Sequence, residues 1–235
     1  MRTVKNCSLS TIAALALLII PSVNAQFGGL GKLVGAGNAA GASLDTFAKS
    51  ADDAAGQVLA ARIAFYDAQA KLMEALGLKT DAVVKASEAL RAKEGASSKA
   101  GDKVSALKDS SKATEESKKQ FDEALAKSDK LSDESKGKFA EGAGKFIEGV
   151  LLEKAQVETI MKLVNQGKSL AASAGVMDKL KVAGMIKPVT ELAFMAAGDV
   201  KEGTSTLGKI MKFAKSQNIT SIPNTDKATA GLGEL

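Results

Sequence analysis

Residues 132–167 read SDESKGKFAEGAGKFIEGVLLEKAQVETIMKLVNQG, and Phe139, Ala143, Phe146, Val150, Val157, Ile160 and Val164 recur in it at steps of three, four and seven. That period brings all of them to one face of an α-helix, whereas a strand would scatter them over two faces. Ser132 is a good N-cap, since its hydroxyl accepts from an orphan backbone N–H of the first turn, and Asp133 and Glu134 place negative charge at the positive end of the helix dipole. The stretch predicts the best core helix of the chain, fading between Gly167 and Gly175.

Working back toward the N-terminus, Leu44, Phe47, Ala51, Ala54, Val58, Ala61, Phe65, Leu72 and Leu76 follow Ser43 at mainly three- and four-residue steps, which predicts a long amphipathic helix ending near Gly77. Thr80 with Asp81 starts a continuation through Val83, Val84 and Leu90, stopping around Gly95. The segment Ser97 to Leu131 is helical by composition but weak: Val104, Leu107, Phe121 and Leu125 are separated by Ser111, Thr114 and Lys118 on the same seam. It resembles the charged helical repeats of late-embryogenesis-abundant proteins in composition alone, without a repeat of fixed period.

Downstream, Val176 to Gly198 is apolar but carries Pro188, whose missing N–H and bulky ring predict a kink or a split. A last helix holds Val200, Leu207, Ile210, Met211 and Phe213, with Lys209, Lys212 and Lys215 favourable at its C-terminal end. No sustained two-residue alternation argues for a sheet. The fold class is therefore all-α: an elongated antiparallel bundle of four to five long helices, with a flexible Gly-rich N-terminus and a disordered C-terminal tail. The expected organisation is a cleaved signal over 1–25, a Gly-rich lead-in over 26–42, one bundle domain over 43–216 and a disordered tail over 217–235. Gly142, Gly149, Gly184 and Gly208 lie inside the helices, either as weak points or as places where backbones approach; the first is the favoured reading.

The signal reading rests on Arg2 and Lys5, the apolar run Leu9 to Ile20, and Pro21 followed by Val23-Asn24-Ala25, a small-x-small pattern before Gln26. The run is shorter than the ~20 residues that span a bilayer, which favours cleavage over a retained anchor. The expected localisation is periplasmic or secreted. Cys7, the one cysteine, leaves with the signal, and 25 of the 235 residues removed leave 210, enough to bury a core without disulfides.

Composition excludes several chemistries. With no histidine, the chain cannot build a Ser-His-Asp triad, common zinc sites or the Glu-x-x-His pairs of di-iron bundles. Ser105/Lys108 and Ser135/Lys138 match the S-x-x-K spacing, but neither companion motif of that chemistry is present. Asp52-Asp53, Glu115-Glu116 and Asp133-Glu134 are adjacent pairs that diverge around a helix, so they read as surface. The formal charge of +5 falls to +3 without Arg2 and Lys5, and Tyr66 is the one tyrosine in a chain without tryptophan, which argues against nucleic acid. No catalytic, cofactor or metal residues are assigned.

What remains is surface. Met185, Ile186, Val189, Leu192, Phe194 and Met195 form a candidate apolar interaction segment, read either as the most buried helix of the bundle, the favoured choice, or as a membrane-entering element. The expected function is an exported, non-catalytic binding or structural component of the periplasm or cell envelope, partnered by another envelope protein or by itself. The alternative is a membrane-active or lipid-handling protein, a lipid carrier or an α-helical pore former.

Overall fold

The computed structural model of the chain describes residues 44–94, 98–127 and 130–232. Six helices follow one another: α1 (Leu44–Ala75), α2 (Asp81–Glu94), α3 (Ala100–Lys127), α4 (Asp133–Ser173), α5 (Val176–Ser216) and α6 (Thr225–Leu232), with no strand among the described residues. The expected signal peptide and cleavage point, the expected Gly-rich lead-in and the expected Ser43 cap lie outside the described residues.

Local chemistry sets the helix ends. Ser132 is extended at φ −65°, ψ 161°, and its Oγ accepts from the Ser135 N–H at 3.2 Å, so α4 begins where its cap predicts. Gly77 ends α1 in the left-handed region (φ 69°), which lets the Gly77 N–H reach the Glu74 carbonyl at 3.0 Å and the Leu78 N–H reach Met73 at 2.8 Å. Asn218 (φ 58°) closes α5 in the same way, with Ile219 N–H on the Ala214 carbonyl at 2.9 Å. The start of α3 is capped from another helix: Asp52 on α1 accepts from the Ala100 N–H at 2.6 Å.

Successive helices run antiparallel. Lys71 meets Glu141 and Glu74 meets Lys138, so α4 descends as α1 ascends; Lys108 meets Glu191 and Lys209 meets Asp122, so α3 and α5 run parallel. Around the bundle the order is α1, α4, α5, α3, with α2 covering α1 and α3 and α6 lying on α4. The core joins Leu59 and Leu72 of α1, Leu107 and Phe121 of α3, Phe139, Ile147 and Ile160 of α4, and Leu192, Leu207 and Ile210 of α5. Phe65 and Phe146 pack edge-to-face with centroids 4.8 Å apart.

Three expectations change. Pro188 does not split its segment: the two expected helices are one, α5, which runs unbroken through it. The carbonyl its ring opposes belongs to Gly184, and half-buried Met185 and Ile186 before it and buried Val189 and Leu192 after it hold both halves against the core, which outweighs the roughly 3 kcal/mol proline penalty. The segment from Gln217, expected to lack order, is laid along α4 as far as Leu232, because Ile222 and Ala228 supply buried apolar groups and Asn224 reaches Glu148 at 2.8 Å. The glycines divide. A Cβ on Gly142 would sit 3.0 Å from Leu72 and one on Gly149 3.3 Å from Phe65, so α1 and α4 approach closely there, while Gly184 and Gly208 face open space.

Candidate functional site

The polar gap in α3 has a partner. Ser110 and Thr114, both buried, face Tyr66 of α1, whose hydroxyl donates to Ser110 Oγ and accepts from Thr114 Oγ1, each at 3.3 Å. One turn back, Arg62 donates to Ser111 Oγ at 2.7 Å and pairs with Asp199 of α5. The same level of α4 carries Glu153. These residues make one polar layer through all four helices of the bundle, between the apolar layers at Phe146 and Leu163.

Glu153 is the outlier of the layer. It is 0% exposed, and neither carboxylate oxygen meets a hydrogen-bond donor among the described residues. Burial pushes its pKa up to about 7, with the nearby Arg62 charge pulling the other way. Gln156, one turn further along α4, is also buried and has a carbonyl oxygen without a donor among the described residues.

Beside Glu153 lies a cavity of about 430 Å³. Its inner wall is aromatic, from Phe65, Phe121 and Phe146, and its mouth is framed by exposed Lys112, Glu115 and Glu202. Gly203 shapes the wall, since a Cβ there would come within 2.8 Å of the Phe65 ring. The α3 side of the mouth is fastened to α5 by ion pairs, Lys118 with Glu202, Lys108 with Glu191 at 2.7 Å, and Lys209 with Asp122 at 2.8 Å.

The sequence-derived candidates lie elsewhere on α5, and the helix divides them. Val189 and Leu192 are buried, Met185, Ile186 and Met195 are half-buried, and Phe194 is 77% exposed. Ile186 is drawn against Gly167 and cannot act as a free surface group. Leu180, outside the candidate set, is 79% exposed and shares the outward face with Phe194. Neither S-x-x-K lysine is set up as a base. Lys108 is paired with Glu191, and Lys138 with Glu134 at 3.1 Å, whose hydrogen bond raises the ammonium pKa, the opposite of what proton abstraction requires.

Arg62, Glu153 and Asp199 escaped the sequence reading, although a signal existed. The α4 seam jumps seven residues from Val150 to Val157, and Glu153 fills the missing step. On α5, Val189, Leu192, Ala196, Asp199, Gly203 and Thr206 recur at alternating steps of three and four, with Asp199 on the buried line. Among the described residues no three acidic side chains gather as a metal site, and no helix is long and apolar enough to cross a membrane. Comparison of the chain with protein-family models, curated proteins and solved structures finds no match, so the site is read from its own residues.

Proposed function

We propose that the chain is an exported, non-catalytic binding protein of the periplasm or cell envelope, whose ligand enters the bundle beside α3 and reaches the polar layer at Glu153. One observation carries this reading: a fully buried carboxylate without a donor among the described residues lines a cavity of ligand size. An unpaired buried charge costs stability that an apolar side chain would not, so a bundle built for stability alone has no use for Glu153 on its core seam. Export is supported by Arg2, Lys5 and the Val23-Asn24-Ala25 pattern before Gln26.

Mass spectrometry tests both halves. Protein recovered from the envelope fraction should have the intact mass of a chain beginning at Gln26, and under native conditions should carry a small adduct that denaturation releases. Ser111→Trp, which fills the cavity from α3, should abolish the adduct while leaving the helical circular dichroism intact. Retention of residues 1–25 would overturn export, and an adduct-free native mass that stays unchanged on exposure to a low-molecular-weight extract of the same cells would overturn binding.

The exposed pair Leu180 and Phe194, four turns apart on one face of α5, favours membrane activity as a second reading. Vesicle flotation separates the two. The binding reading expects dye-loaded liposomes to stay intact and unbound, whereas leakage that Leu180→Ser/Phe194→Ser abolishes would establish the lipid-active alternative.

A further inference from the structure

We infer that the cavity takes a small organic cation, an ammonium group on an apolar body, with its N–H donors on the Glu153 carboxylate and its body among Phe65, Phe121 and Phe146. The inference rests on the reading of the cavity as a ligand site and adds the class of ligand.

Charge pairing in the cavity leads to this class. Arg62, the one cation in the polar layer among the described residues, is already held by Asp199 and Ser111, and Lys118 is held by Glu202. Lys112 lies outward and exposed at the mouth, and Glu115 beside it pairs with Lys119 of the same helix at 3.7 Å. Glu153 is left as the buried carboxylate with both oxygens unmet by a hydrogen-bond donor among the described residues. An anion deep in the cavity would find Arg62 already held and would face Glu153 and Asp199. A neutral ligand would suit the protonated carboxyl and would leave the ionised form, which gains above about pH 7, without a counter-charge. A bare divalent ion would need several converging carboxylates, which do not gather among the described residues.

The remaining wall fits the same class. Three phenylalanine rings line the cavity, Phe65 half-buried and Phe121 and Phe146 buried, so an apolar body finds aromatic neighbours there. The oxygens of Tyr66, Ser111 and Thr114 add acceptors for further N–H groups. Because burial pushes the Glu153 carboxyl up to about 7, an arriving ammonium favours the ionised form, and affinity should rise with pH through neutrality.

Isothermal titration of the mature protein with three probes of one shape, phenethylammonium, phenethyl alcohol and phenylacetate, tests the inference. The ammonium should bind about tenfold or more tightly than either isostere, with affinity falling below pH 7. Glu153→Gln, which removes the charge and keeps the shape, should lose that preference and its pH dependence, while Glu153→Asp should retain part of both. Ser111→Trp should abolish binding of all three. Equal or tighter binding of the alcohol or the acid, blocked by Ser111→Trp and indifferent to Glu153→Gln, would overturn the cation and leave the cavity reading standing. Failure of all three probes to bind would overturn both.

Discussion

Arg62 on α1 and Asp199 on α5 pair across the diagonal of the bundle, near where Gly203 of α5 lies against the Phe65 ring of α1. The arginine side chain is 8% exposed and the aspartate 24%, so the pair is screened far less than a surface salt bridge. Removing one partner strands the other. Arg62→Ala should therefore cost about 3 kcal/mol in urea unfolding, while Arg62→Leu/Asp199→Leu should cost clearly less than the sum of the two single leucine changes. Additive losses would mean that the two side chains do not interact.

Glu153 gives the protein a pH signature. Its folded carboxyl titrates near 7 and its ordinary value is 4.5, so the folded state binds the proton more tightly than the unfolded state does. Stability from this group is then greatest below about pH 4.5, falls as pH rises to about 7 and is level above that, a change of about 3 kcal/mol. Glu141 and Glu191, held low by Lys71 and Lys108, act in the opposite direction and are exposed, so the comparison of wild type with Glu153→Gln isolates the effect. The variant should be the more stable protein at pH 8 and should lose its advantage at pH 4. An equal offset at both pH values would show that Glu153 is not desolvated.

The helices were legible because their apolar periods are strong, and Ser132, Gly77 and Asp81 mark boundaries through chemistry that acts within one turn. The polar layer was not, because its meaning is pairwise. Ser111 and Thr114 look like a defect in α3 until Arg62 and Tyr66 are set opposite them, and Glu153 looks like an ordinary surface acid until α1 and α5 close over it. The continuity of α5 through Pro188 has a related cause: the proline penalty is local, while the packing of Met185, Val189 and Leu192 that offsets it comes from other helices.

The α3 helix should open first. Its buried line includes Lys103, Ser110, Thr114 and Ser117, and its contact with α5 depends on ion pairs whose side chains are about a third to a half exposed. Amide exchange should be faster in α3 than in α1, α4 or α5, and raising the salt concentration should speed α3 selectively by screening those pairs. Uniform acceleration of every helix would mean that α3 opens only with the whole bundle.

The interior glycines provide a paired test of packing against propensity. Gly184 and Gly208 face open space, so alanine at either should stabilise by roughly 0.5–1 kcal/mol through helix propensity alone. Gly167 is different: a Cβ there would come 2.7 Å from Ile186 and 2.8 Å from the Phe47 ring, at the meeting of α1, α4 and α5. The same propensity gain is present, but three helices must separate or the side chains of buried Phe47 and half-buried Ile186 must leave their rotamers, which costs roughly 1–3 kcal/mol. Gly167→Ala should therefore lower the thermal midpoint while Gly184→Ala raises it. If both substitutions raised it, the close approach at Gly167 would not exist, and the packing of α5 against α1 and α4 would have to be redrawn.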